Sequence, residues 1–158
     1  MNTIQEQLEA SNTYYETKLA QGQSFQQYVT QWFAEQGVVF QDYTTKQEQL
    51  EKGENTLGME IKRDGRFRET GNLYIETEEK SSSVLNLHWA PSGIFRDDQS
   101  WLFCIGDEST FWIFAKKDLQ RWSQCGRYEK KQIVTSRGFV MPVTDADKYC
   151  ARKVEVYF

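Results

Sequence analysis

Glu60 and Glu76 are the residues of this 158-residue chain whose type and spacing could do chemistry. They lie in the stretch from Gly58 to Lys80, GMEIKRDGRFRETGNLYIETEEK, which reads as two strands joined by a turn. Side chains alternate between faces along a strand, so Met59 and Ile61 point one way and Glu60, Lys62 and Asp64 the other. In the second run Leu73, Ile75 and Thr77 share a face, opposite Tyr74, Glu76, Glu78 and Lys80. Aligned polar faces would set the two carboxylates side by side. At about 4 Å such a pair repels by roughly 4 kcal/mol at an effective dielectric near 20, so it must protonate, find a cation or stay in water. A divalent cation resolves the conflict. Mg²⁺ prefers one or two carboxylates, with water and substrate phosphate completing its shell. The competing reading is an antiparallel sheet with one wet face, which shows the same alternation.

Glu60, followed sixteen residues later by Glu76 with lysines nearby, resembles the D…(D/E)xK core of the PD-(D/E)xK nuclease superfamily, which has the restriction-endonuclease-like fold. The longer strings GMEIKRD, TGNLYIE and EEK, with Ser92-Gly93-Ile94 ahead of a Trp-containing strand, are similar to small phage- and prophage-encoded members, over roughly Ser24 to Leu119. The resemblance implies a central mixed β-sheet flanked by helices and a phosphodiesterase acting on DNA. It implies Mg²⁺ (or Mn²⁺) held by Glu60 and Glu76, and a lysine that orients the attacking water and offsets charge in the transition state. The chain departs from the pattern in three places: the first acid is Glu, no Pro precedes it, and Glu78 stands where ExK has its lysine. The lysine is then Lys62, on the face of Glu60, or Lys80, roughly 13 Å beyond Glu76 along an extended strand; the face argument favours Lys62. The same departures fit a catalytically inactive scaffold that binds a protein or nucleic-acid partner. A helix ahead of the family's sheet often carries a Glu near the metal. Here that place has Gln26 and Gln27, leaving Glu35 or Glu16, while Gln47, Gln49 and Glu54 match residues that lie close to the active face.

An apolar content of 39%, a charged content of 27% and an aromatic content of 15% describe one globular domain over 1–158, its core built on rings. A formal net charge of −4 and a pI near 5.1 argue against a general electrostatic grip on nucleic acid. Lys116, Lys117, Arg121, Arg127, Lys130, Lys131 and Arg137 nonetheless form a basic group, read either as a DNA-facing patch or as a solvated helix and loop. Three cysteines without CxxC spacing indicate neither a zinc knuckle nor a disulfide framework and fit reducing cytoplasm. MNTIQEQLEA lacks the basic and apolar segments of a signal peptide, and no apolar run approaches about 18 residues. The expectation is a soluble cytoplasmic protein with no membrane contact, a homodimer being left open. One histidine, His88, excludes metal sites built from several, and no glycine-rich phosphate loop supports ATP or NAD use.

Placing these residues is the task of the surrounding elements. Ile4, Leu8, Tyr15 and Leu19 trace a helical stripe as far as Gln21, and Gly22 interrupts it. Phe25, Tyr28, Val29, Trp32 and Phe33 mark a second helix over Ser24–Gln36, with Ser24 and Gln27 as its capping box and Gly37 as its stop. Val38, Val39, Phe40 and Tyr43 open a first strand, Lys46–Asn55 is a polar loop, and Arg63–Gly71 turns the chain between the acidic strands. Val84, Leu85, Leu87 and Trp89 are apolar up to the break at Pro91-Ser92-Gly93. Trp101–Ile105 and Phe111–Ala115 read as buried strands, Asp118–Trp122 as a short helix, Phe139–Val143 as a strand, and Asp145–Tyr157 as a terminal helix or strand. The spacing predicts an α/β core whose second helix covers Met59, Ile61, Leu73 and Ile75. Glu60 and Glu76 then emerge together on the open side, on neighbouring strands about 4 to 6 Å apart.

Overall fold

Gly22 does not break the N-terminal helix. The computed structural model describes residues 3–81 and 88–157, and its first element, α1, runs without interruption over Ile4–Glu35. The capping box sits at its start: the Thr3 hydroxyl accepts from the Glu6 N–H while the Glu6 carboxylate accepts from the Thr3 N–H. Ser24 and Gln27 therefore lie inside a helix rather than at its cap. A helical glycine costs only about 1 kcal/mol relative to alanine, less than the flanking turns supply, and a Cβ at position 22 would meet nothing within 4 Å. Gly22→Ala is expected to strengthen α1 by roughly 0.5–1 kcal/mol, read as slower amide exchange on both sides of position 22. Faster exchange there would show that the glycine is a hinge. The stop is where the sequence puts it, at Gly37 with φ +88°.

The stretch from Val38 to Tyr43 forms no strand. It contributes only the isolated bridge of Asp42 to Asn55, and Val38 and Val39 stay exposed because no sheet edge reaches them. The polar run after it holds a helix, α2 (Lys46–Lys52), capped by the Thr45 hydroxyl. Then come β1 (Met59–Arg63), α3 (Phe67–Thr70), β2 (Asn72–Glu79), β3 (Ala90–Pro91) and a 3-10 turn over Gly93–Phe95. They are followed by β4 (Leu102–Gly106), β5 (Thr110–Ala115), α4 (Lys116–Gln124), β6 (Lys130–Ile133), β7 (Ser136–Pro142), α5 (Val143–Tyr149) and β8 (Arg152–Glu155). The terminal stretch is thus a helix and then a strand. Val84, Leu85 and Leu87 lie outside the described residues.

The strands sort into two sheets, β1-β4-β5-β8 and β3-β2-β7-β6. The first is mixed, with β1 parallel to β4 and the other pairs antiparallel; the second is antiparallel throughout. The chain is α/β, with a mixed four-stranded sheet and several helices. Alternation gives that mixed sheet two apolar faces. Met59, Ile61, Cys104, Phe111 and Ile113 pack with Phe25 and Val29 of α1, while Phe103, Ile105, Trp112 and Phe114 pack with Leu73, Ile75, Phe139 and Met141 of the second sheet. Two apolar faces need two covering layers, and α1 supplies one.

This corrects the expected placement of the acidic strands. α1 covers Met59 and Ile61 but not Leu73 and Ile75, which lie on the far side of the mixed sheet. β1 and β2 are not neighbours, since β1 pairs with β4 and β2 with β3 and β7. The face of Glu60 is closed by the second sheet instead of open. Among the described residues no helix is long and apolar enough to cross a membrane, and Cys104, Cys125 and Cys150 are free thiols.

Candidate active site

Glu60 stands opposite Phe103 in the parallel β1–β4 register, on the face that the second sheet covers, and is 1% exposed. Neither carboxylate oxygen makes a hydrogen bond. Its nearest cations are Lys62 Nζ at 3.5 Å from Oε1 and Lys116 Nζ at 4.0 Å from Oε2. A buried, unbonded carboxylate is costly in its charged form. Burial accordingly pushes the Glu60 pKa up to about 7; Glu54 and Asp98 add to the rise, and Lys62 and Lys116 hold it back.

Lys62 follows two residues later on the same face, and three carboxylates converge on it. Burial would lower its pKa, but Glu60, Glu54 and Glu76 together outweigh that and hold it above the ordinary value. Glu54 arrives from the loop between α2 and β1. Its Oε2 accepts from Gln26 Nε2 at 3.0 Å and from the Ile61 N–H at 3.2 Å. α1 therefore reaches the site through Gln26, whereas Glu35 bonds Gln31 at 3.4 Å on the exposed end of the helix and Glu16 is exposed. Gln47 bonds Glu51 and Gln49 bonds the Tyr43 carbonyl, so Glu54 alone of that trio joins the cluster.

Glu76 comes from the second sheet. Its two oxygens accept from the hydroxyls of Ser92, at 2.8 Å, and Ser136, at 2.7 Å. The expectation of two carboxylates on adjacent strands is replaced by an arrangement in which Glu60 and Glu76 approach Lys62 from different sheets. Lys80 is placed elsewhere. Its Nζ lies 5.0 Å from the centre of the Trp89 ring, on which Arg137 also stacks at 3.9 Å.

Behind Glu60 lies a buried polar chain. Lys116, the first residue of α4, is 3% exposed and sits 3.3 Å from Asp98 Oδ1 and 3.3 Å from the Arg96 carbonyl. Asp98 also faces Arg96 Nε at 3.4 Å and accepts from the Ser100 N–H at 2.7 Å. Burial raises the Asp98 pKa, but these hydrogen bonds and Lys116 bring it below the usual carboxylate range. The local account is four carboxylates, Glu54, Glu60, Glu76 and Asp98, against three cations, Lys62, Lys116 and Arg96.

The resemblance put Glu54 close to the active face without a role, and sequence reasoning missed Gln26, Lys116 and Asp98 as members of this cluster. For Glu54 a signal existed: Glu60-Ile61-Lys62 itself spells acid, any residue, lysine, and reading it so makes Glu54 the upstream acid. Lys116 opens the run KKDLQR, which reads as a solvated helix start. Only the fold turns its side chain inward.

A cleft of about 450 Å³ opens beside the cluster, with Lys18, Lys62, Arg66, Tyr74, Glu76 and Lys131 on its wall. A wider groove of about 770 Å³ runs along the second sheet, past Trp89, Tyr128, Lys130 and Arg137, and Lys131 borders both. Among the described residues no group of three or more His, Cys, Asp or Glu is placed to cage a metal. Mg²⁺ does not need one, because it keeps several waters and takes one or two carboxylates. The unbonded oxygens of Glu60 fit such a ligand. No family model, curated protein or solved structure matches the chain.

Proposed function

We propose that this protein is a metal-dependent phosphodiesterase acting on DNA, a phage- or prophage-type nuclease of the PD-(D/E)xK class with a restriction-endonuclease-like core. The observation that carries the reading is the Glu60 carboxylate, buried with both oxygens unbonded beside Lys62. A carboxylate kept in that state sacrifices stability and asks for a ligand. In this reading Glu54 is the first acid, Glu60-Ile61-Lys62 the acid-x-lysine, and Glu76 a further acid across Lys62.

Glu60, with one of Glu54 and Glu76 as second carboxylate, would hold Mg²⁺ (or Mn²⁺), which would supply Lewis acidity toward a phosphoryl oxygen and make water a better nucleophile. Lys62 orients that water and offsets charge developing on the phosphate. Gln26 fixes Glu54, and Ser92 and Ser136 fix Glu76, as residues behind a ligand shell do. Lys18, Arg66 and Lys131 bind backbone phosphates along the cleft. Glu60 must be ionised to serve, so at limiting metal concentration cleavage rises with pH through about 7.

Incubating DNA with the protein and Mg²⁺ or Mn²⁺ tests the reading; equal nicking by wild type and Glu60→Gln, or by neither, ends it. Lys62→Ala should lower the cleavage rate about 10²–10³-fold while keeping the calorimetric heat of metal binding. Lys80→Ala should cost less than about threefold, since its ammonium lies over Trp89. The reverse ranking would misassign the lysine.

A second reading, a nuclease-like scaffold that only binds a partner, draws support from Glu76, whose oxygens are both held by serines. It expects no Mg²⁺ or Mn²⁺ heat that disappears in Glu60→Ala, whereas the first reading requires that heat.

A further inference from the structure

The first five turns of α1 bury no side chain, and among their described residues only Lys18 and Gln21 border the rest of the protein, at the cleft beside Lys62. From Thr3 to Ser24 every described side chain is exposed, and the apolar ones are large: Ile4 is 77% exposed, Leu8 59%, Tyr15 68% and Leu19 51%. At about 100° per residue these four fall within an arc of roughly 60° on one helix face. The stripe runs in phase into Val29 and Phe33, where the same face packs on the mixed sheet. The sheet ends before the helix does. Helices in proteins draw most of their stability from packing an amphipathic face, so an apolar stripe along an unsupported one asks for a cover.

We infer that the cover is a second copy of this chain, its α1 arm lying antiparallel to the first. The pattern of the stripe is its own complement. Read antiparallel about a twofold axis passing between positions 11 and 12, Ile4 meets Leu19 of the other copy and Leu8 meets Tyr15, because 4 and 19, and 8 and 15, both sum to 23. Every apolar residue of the stripe thus finds an apolar partner, as an isologous interface requires. An unrelated partner would impose no such symmetry on the spacing. The carboxylates stay out of the way: Glu6, Glu9 and Glu16 lie roughly 90° or more from the centre of the stripe. Glu6 is held in the Thr3 cap and Glu9 bonds Gln5 at 3.4 Å. Four apolar side chains from each copy, one of them an aromatic ring, bury on the order of 1,000 Å² in total, the lower bound of a specific interface. The association is therefore a micromolar one, set by the arms.

Sedimentation equilibrium of the full chain should give a dimer with a Kd of about 1–50 µM. Leu8→Glu and Tyr15→Glu should each raise that Kd at least about 100-fold. Both sites are solvent-exposed and remote from the core, so the melting of the domain should not change, and a variant that no longer melts cooperatively is replaced by Leu8→Gln. Geometry is read by cross-linking in a Cys125→Ser background, whose own reaction is the blank. Asn12→Cys, next to the twofold, should join to itself through a short bis-maleimide. Ile4→Cys should not, because two copies of position 4 lie about 22 Å apart along the pair. A wild-type monomer at about 200 µM, a dimer indifferent to Leu8→Glu, or self-joining of Ile4→Cys would each overturn the inference.

Discussion

Glu60→Gln is expected to abolish DNA cleavage, by about 10³-fold or more, and at the same time to make the protein harder to unfold above pH 7. The sign follows from proton counting. In the folded chain Glu60 keeps its proton up to about pH 7, whereas an unfolded carboxylate releases it near 4.5. Between those values the folded state binds more protons, so wild-type stability falls as pH rises through about 7, and the full cost, roughly 3 kcal/mol, is present above it. A glutamine carries no charge to bury. Urea midpoints should therefore coincide near pH 4.5 and separate in favour of the variant toward pH 8, less whatever Lys116 loses when Asp98 alone is left to pair with it. A variant less stable than wild type at pH 8 would show that the two lysines stabilise Glu60 more than burial penalises it. Mg²⁺ should raise the wild-type midpoint and leave that of the variant unmoved.

Gly93→Ala is expected to cost about 3 kcal/mol or more and to disorder Glu76 with it. Gly93 has φ +55°, and a Cβ there would lie 2.2 Å from the Glu76 carbonyl oxygen and 2.8 Å from its carbon. The obstacle is backbone, which cannot swing aside as a side chain can. The neighbouring Ser92 hydroxyl, which positions the Glu76 carboxylate at 2.8 Å, moves with the same turn. Gly71→Ala is the control. It has a comparable φ of +73° but nothing within 4 Å of the added carbon, so it should show only the left-handed backbone penalty of about 1–2 kcal/mol. Equal losses at the two positions would mean that backbone conformation, not the contact with Glu76, sets the cost.

Much of the fold is written in local pattern. The apolar runs of β4 and β5 and the alternation of Met59 and Ile61 with Glu60 and Lys62 survive in the structure because each residue's face follows from strand geometry alone. What covers a face is a different question. Nothing in GMEIKRD says that a second sheet closes over Glu60, because that contact joins residues far apart in the chain. β6 escaped notice because all four of its residues, Lys130 to Ile133, are exposed and carry no buried period. Val38 to Phe40 misled in the opposite way: β-branched residues suit a strand, but with no neighbour to pair they run on as loop. The candidate site was half legible for the same reason. Glu60, Lys62 and Glu76 stand out by type, whereas Gln26 and Lys116 acquire meaning only from the side chains that tertiary folding sets against them.

The division of the acids between two sheets makes the proposed centre a product of the finished fold. Glu54, Glu60 and Lys62 belong to the half built on α1 and the mixed sheet, and Glu76 to the antiparallel half. The proposed centre is therefore complete only where Leu73, Ile75, Phe103 and Ile105 pack the two sheets together. Under the proposed function, a chain assembled in this way would spare the cell's own DNA for as long as it is unfinished.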